Sequence, residues 1–423
     1  MSNRYGDERY FERALEVRRA VFPGIATFPP DLVYNQWSAA TTRPPCRSPL
    51  MIVSPPAEIG MRLADVETPA LLLDLDAFER NLERLADRAT TMGVRLRPHA
   101  KTHKSPVIAR RQMALGAVGV CCQKVSEAEA MVQGGVADVL VSNEIVGSRK
   151  CARLAALARE ARIAVCVDDP VHVAALSEVA VQYGVTLDVL VEINVGGNRC
   201  GVEPGAPALA LVESVARAPG LRFRGLQAYH GAAQHIADFA KRHAAAADAV
   251  AKARETRDLL ARHGHDCADI DGAGTGTYTF EGTSGVYNEL QVGSYIFMDA
   301  HYARNLDADG KPVSDFEHSL FVYATVMSKP ARDRAAVDAG KKALAMDSGM
   351  PTLADLRDIE YTAASDEHGN LKLGETNRPL AIGDKIRLIP GHCDPTVNLY
   401  DWYVGYRDDR VEALWPIARG PGY

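Results

Sequence analysis

The sequence lacks any apolar run near the roughly 18 uninterrupted residues that a membrane-crossing helix needs, so no membrane span is expected. It lacks a block of one charge sign: 48 Lys and Arg are interspersed with 54 Asp and Glu, for a net charge of −6. There is no basic stripe with interleaved aromatics, which argues against a nucleic-acid surface. The eight cysteines include no CxxC pair, and most lie in apolar, strand-like segments where a free thiol behaves as a small buried hydrophobe. A reducing, cytoplasmic compartment is the expectation. The start, MSNRYGDERYFERALEVRRA, is too charged for a secretory signal. Small molecules and other copies of the chain are left as the expected partners.

What is present is a long regular pattern of strands and helices. Residues 1–65 stand apart from it. They are rich in Pro and Arg, with one short amphipathic piece at Tyr10–Val21, and read as a poorly ordered extension with little role in chemistry; an arm around a partner subunit is the alternative. From Thr68 the run Ala70–Leu75 is strand-like. Asp76 is read as the cap of a helix, with Glu79 as its reciprocal partner and Phe78, Leu82, Leu85 and Ala89 on one face. A strand-like segment at 94–101 follows, and Ser105-Pro106 opens a helix that Gly116 ends. Further strand-like segments fall at 117–122, 138–142, 163–168, 187–193, 222–229, 268–272 and 289–296, separated by Ala-rich helical stretches. Eight strands alternating with helices predict a TIM-like (β/α)8 barrel over 66–318. A doubly wound open sheet is the alternative, but no GxGxxG follows the first strand. Beyond about 318 the segments turn short and β-like, between Gly, Asp and Pro turns, so 319–423 is expected to be a mostly β domain.

Barrels of this kind carry their chemistry at the C-terminal ends of the strands, and the tips here are polar. Gly272-Ala273-Gly274-Thr275-Gly276 follows the seventh strand, and Gln291-Val292-Gly293-Ser294-Tyr295 belongs to the eighth. Glycines expose backbone N–H groups and hydroxyls add donors, so these two segments read as a phosphate cradle where barrels commonly place one. Lys101 ends the first barrel strand. In the barrel mouth, partial desolvation would favour its neutral, nucleophilic amine, whereas Lys104 reads as a surface lysine. A Schiff base between Lys101 and pyridoxal phosphate accounts for the lysine and the cradle together.

The motifs RPHAKTHK, GVCCQKVSEAEA, VEINVGGNRCGV, GLQAYHGAAQH, DGAGTGTY and PGHCDPTVNLYDWYVG, in this order, resemble the D-threonine aldolase, D-serine dehydratase and 3-hydroxyaspartate aldolase group. Those proteins have an alanine-racemase-like fold. The resemblance runs from about residue 65 to the C-terminus. It implies pyridoxal 5'-phosphate on Lys101, with Gln123, Gly274, Thr275, Gly293, Ser294 and Tyr295 lining the cofactor and its phosphate. Arg199 would approach the cofactor's phenolic oxygen or the substrate carboxylate. Tyr229 and His235 would stand beside the substrate, with His235 as base. Gln291 sits where alanine racemases of this fold place an arginine against the pyridine nitrogen, and a glutamine cannot supply that fixed charge.

His392-Cys393-Asp394-Pro395 follows a strand-like segment. On this extended segment His392 and Asp394 point the same way and Cys393 turns away. Imidazole plus carboxylate suits a divalent ion, Mg or Mn ahead of Zn. The dehydratase branch has His-x-Cys where this chain has His-x-Asp, which favours an aldolase. The resemblance thus implies cleavage of a D-3-hydroxy amino acid to glycine and an aldehyde, foremost 3-hydroxy-D-aspartate to glycine and glyoxylate, by a homodimer. D-threonine cleavage, β-elimination of D-serine or hydroxyaspartate, racemisation, and a cofactor carrier without catalysis are the competing readings. A single-barrel carrier would have no use for residues 319–423, and a racemase none for the HCDPT tip.

Overall fold

The computed structural model describes residues 54–374, 379–420 and 422. The sequence readings on residues 1–53 lie outside these. The strands, in chain order, are β1 Ala70–Asp74, β2 Arg95–Leu96, β3 Val120–Cys122, β4 Asp138–Glu144, β5 Arg162–Val167, β6 Leu187–Glu192, β7 Leu221–Gln227, β8 Asp269–Gly272, β9 Glu289–Leu290, β10 Leu320–Ala331, β11 Arg334–Val337, β12 Thr352–Leu353, β13 Ile359–Ala364, β14 Gly369–Leu373, β15 Lys385–Ile389, β16 Trp402–Arg407 and β17 Arg410–Pro416.

Strands β2 to β9 form a parallel sheet in the order β2-β9-β8-β7-β6-β5-β4-β3. A parallel bridge between His99 and Cys121 joins the two ends, so the sheet curls into the expected barrel with helices outside. Its interior packs Cys121, Leu140, Ala164, Cys166 and Leu190, small or branched side chains that fill a tapering barrel. The described cysteines are free thiols.

The remaining strands build a largely antiparallel sheet ordered β13-β14-β11-β10-β1-β16-β17, with β15 on β10 and β12 on β15. β1, placed within 66–318 by the sequence pattern, belongs to this sheet: it runs antiparallel to β10 and parallel to β16. Residues preceding it belong there too, since Ala57 and Val66 are buried in a cluster with Val404 and Val411. Thus the folded part begins before residue 65.

The helix Leu75–Met92 links the two sheets. Its buried face carries Phe78, Leu82, Leu85 and Ala89 as the 3.6-residue period requires. The cap differs from the expected one: Asp74, at the end of β1, accepts the Ala77 N–H at 3.0 Å. Asp76 instead meets Arg407, and Glu79 meets Arg407 and Arg111. Residue 74 wins because the strand already holds it extended, the backbone state a cap needs. No helix among the described residues is long and apolar enough to cross a membrane.

Candidate active site

The strand tips enclose a cavity of about 730 Å³, counted to its open mouth. Its walls bring together Lys101, Gln123, Arg199, Tyr229, Gly274, Thr275, Gln291, Gly293 and Ser294, with His99, Thr102, Ser142, Gln227 and Tyr302 among them. Tyr295 is not in this wall. It is buried in the core edge-on to Phe316, and its hydroxyl accepts from Gln112 Nε2 at 3.2 Å. The backbone turns at Gly293, so adjacent residues face opposite ways, and Ser294 takes the cavity side.

The loop after β8 is built tightly. Ala273 holds φ +65°, a left-handed conformation that costs a non-glycine residue about 1 kcal/mol or more. Beyond it, Thr275 Oγ1 is buried without a hydrogen-bond partner among the described residues, as is Thr102 Oγ1. Buried hydroxyls are seldom left unpaired. Two of them at a cavity lined by Gly274 and Gly293 fit a phosphate, and Lys101 in the same cavity fits the aldehyde of pyridoxal phosphate.

Lys101 departs from the sequence reading in its charge. Burial favours the neutral amine, but the Asp394 carboxylate lies 2.6 Å from Nζ, and Tyr229 is near. Together they hold the Lys101 pKa above the ordinary lysine value, and the same pair holds Asp394 far below the usual carboxylate range. Without cofactor the amine is therefore an ammonium. Lys104 is likewise no surface lysine: it is buried, and Nζ donates to Asn398 Oδ1 at 2.8 Å and the Gly420 carbonyl at 2.7 Å.

On the cavity floor, Gln291 and Gln227 exchange amide hydrogen bonds of 2.8 and 2.7 Å. Each amide is satisfied by the other, so the floor presents a neutral, fixed pair. His99 is held by Ser142 Oγ at 3.2 Å, and burial pushes its pKa down to about 3, keeping the ring neutral. Arg199 stacks its guanidinium over Tyr229 at 5.8 Å and lies 3.8 Å from Glu192.

His235 ends a short 3-10 turn, Ala232–His235. Its ring stacks on His301 at 3.9 Å with the planes 8° apart, and leans on Tyr302 at 4.6 Å. Burial, helped by His301 and His392, pushes its pKa down to about 4. The imidazole is therefore neutral and able to accept a proton.

The His392–Asp394 segment is not extended as the sequence reading assumed. His392 caps a one-turn helix, Cys393–Val397, so alternation does not apply. His392 Nδ1 sits 2.7 Å from Asp347 Oδ2, while Asp394 faces Lys101 and accepts from Ser294 Oγ at 3.3 Å. Cys393 is buried, as expected, though its thiol lies 3.4 Å from Asp394 Oδ1. Around this turn, the Nδ1 atoms of His235 and His301 are buried with no hydrogen-bond partner among the described residues. The His392 imidazole and the Asp347 carboxylate, 2.7 Å apart, are donors of the kind that a divalent cation takes.

Sequence reasoning missed Asp347, His301, Tyr302 and Asp299. Asp299 is fully buried: one carboxylate oxygen accepts the N–H groups of His301 and Tyr302 at 3.1 and 2.9 Å, the other that of Cys393 at 2.9 Å. A single side chain thus places both the histidine stack and the turn that carries Asp394.

Fold and site define a barrel enzyme of the alanine-racemase-like class, a class that implies pyridoxal phosphate as cofactor. Residues 73–301 match the alanine racemase N-terminal domain, and residues 319–406 a putative serine dehydratase domain. The chain is 47% identical to a 3-hydroxy-D-aspartate aldolase of Paracoccus denitrificans over 87% of this chain and 96% of that one. It is 48% identical to a D-threonine aldolase of Arthrobacter sp. over 86% and 96%. The solved D-threonine aldolase of Filomicrobium marinum superposes with a TM-score of 0.84 at 54% identity, covering 86% of this chain and 98% of that one. The chain belongs to the D-threonine aldolase and D-serine dehydratase family, and its relatives of high identity are aldolases.

Proposed function

We propose that this aldolase cleaves 3-hydroxy-D-aspartate to glycine and glyoxylate, using Lys101 for the cofactor and the His392–Asp394 turn for a divalent ion, Mg or Mn. The observation that carries the reading is the meeting of Lys101 and Asp394 at 2.6 Å: the barrel's lysine and the second domain's metal carboxylate serve one substrate. D-threonine is the second reading, favoured by the identity of 48% to an aldolase of that name.

When bound, pyridoxal phosphate supplies an electron sink for the pair released as the Cα–Cβ bond breaks. His392, Asp347 and Asp394 are the donors from which the ion would be held, and it would acidify a coordinated hydroxyl. Thr275 and Thr102 offer hydroxyls to the phosphate. The Gln227–Gln291 pair and neutral His99 keep the floor free of added charge. Arg199, a fixed cation on the cavity wall, pairs with the carboxylate shared by every amino-acid substrate. Neutral His235 takes the proton from the β-hydroxyl, and the amine of Lys101, close to Tyr229, is placed to return a proton to what becomes glycine.

Incubation of the purified protein with D-threonine and both diastereomers of 3-hydroxy-D-aspartate tests this. Glycine with an equal amount of glyoxylate is expected, with the higher kcat/KM on hydroxyaspartate. Ammonia with a keto acid would make it a dehydratase instead, and preference for D-threonine would favour the second reading. The homodimer is part of this proposal, and light scattering showing an active monomer would refute it.

A further inference from the structure

We propose that Gln234 is a positioning residue that couples the phosphate loop to the base His235, an inference that rests on the aldolase reading above. Gln234 is fully buried, and its polar atoms are spent on both sides of the site. Oε1 accepts the Gly276 N–H at 3.0 Å, and Nε2 donates to Thr277 Oγ1 at 2.8 Å and to the His230 carbonyl at 3.2 Å. Its own carbonyl accepts from Asn305 Nδ2 at 2.9 Å. Thr277 Oγ1 passes the chain on to Glu281 Oε1 at 2.7 Å.

The glycines beside Thr275 therefore have a second reason to be glycines. A Cβ on Gly274 would lie 2.5 Å from Gln234 Oε1, and one on Gly276 would collide with the Gln234 carbonyl oxygen. The Gly276 N–H, read from sequence as a phosphate donor, is given to Gln234. The loop and the glutamine are thus in van der Waals and hydrogen-bond contact along their length. A buried amide with its donors and acceptors paired has one satisfied arrangement. If the loop shifts, Gln234 must follow.

His235 is the next residue, in the same 3-10 turn, and its ring is clamped against His301 and Tyr302. Asn305, which holds the Gln234 carbonyl, lies three residues beyond Tyr302 and ends the 3-10 turn Tyr302–Arg304. A loop settled on the cofactor's phosphate therefore fixes the base, and a loose loop leaves it misplaced. Misplacement of this kind is felt in turnover more than in substrate binding.

The test uses the holoenzyme and two variants. Gln234→Glu keeps the size and the acceptor for Gly276 but loses both donated bonds; Gln234→Met loses all three side-chain bonds. At saturating cofactor each should lower kcat by about 10–100-fold with KM within about threefold. Wild type loaded with pyridoxal, which has no phosphate, should be activated by added inorganic phosphate, and the variants should not. Carbethoxylation of His235 by diethyl pyrocarbonate, read by mass spectrometry, should be faster in the variants. Weaker cofactor binding with unchanged kcat and unchanged His235 labelling would overturn the coupling. If the Met variant fails to fold, the Glu variant decides. Wild type that releases no glycine would sink the aldolase reading, while His235 labelling would still decide the role of Gln234.

Discussion

Lys101 and Asp394 form an ion pair of 2.6 Å between the barrel mouth and the tip of the second domain. The carboxylate read as a metal ligand is therefore occupied by the lysine read as the cofactor anchor. Ammonium and metal ion compete for it, and two ligands that exclude each other weaken each other by the same factor. Apo Lys101→Met should bind Mn more tightly than the apo wild type, by about tenfold if the pair contributes near 1.4 kcal/mol. Calorimetric titration reads this without turnover; equal affinities would show that the pair does not gate the ion.

The same variant should lose the long-wavelength absorbance of the lysine-linked cofactor. Lys104→Met should keep that absorbance and melt at lower temperature, because Lys104 holds Asn398 and Gly420. The opposite pattern would move the cofactor to Lys104.

Asp299 holds the histidine stack with one oxygen and Cys393 N–H with the other. Asparagine can accept on one side only. Losing a hydrogen bond to a charged group costs roughly 1.5–3 kcal/mol, so Asp299→Asn should lower activity about 10–100-fold and raise the Mn concentration needed, with cofactor colour unchanged. A variant with native metal dependence would show that the turn holds itself.

Much of this was legible in the sequence because it is local. Apolar runs of strand length marked β3 to β8, and polar residues at their ends marked the cavity wall. Local chemistry failed where a contact decides: Asp74 rather than Asp76 caps the helix because β1 pairing fixes where the strand ends, and Tyr295 faces the core because the chain turns beside it. The His392–Asp394 pattern misled because Cys393 starts a helical turn rather than continuing a strand. Asp299 and Gln234 were invisible for a related reason. Their partners Cys393 and Gly276 lie 94 and 42 residues away, and no spacing announces such pairs.

Glu281, under the phosphate loop, is buried, and burial raises its pKa to about 8 despite the hydrogen bond from Thr277. A carboxyl whose folded pKa is raised holds its proton in the native state after the unfolded chain has lost it. Stability should therefore fall as pH rises from about 4.5 to about 8 and level off above. Relative to wild type, Glu281→Gln should gain on the order of a few kcal/mol across that window. Urea midpoints at both ends of the window read the difference; parallel pH profiles would contradict it.

The division of labour between the two domains is tested most directly by chelating the cofactor-loaded enzyme and following colour and glycine release together. In the proposed mechanism the cofactor belongs to the barrel and the ion to the His392–Asp394 turn, so extensive chelation should abolish cleavage while the visible absorbance stays, and added Mn or Mg should restore glycine release. A metal-free preparation that keeps its colour and splits its substrate at full rate would contradict the account.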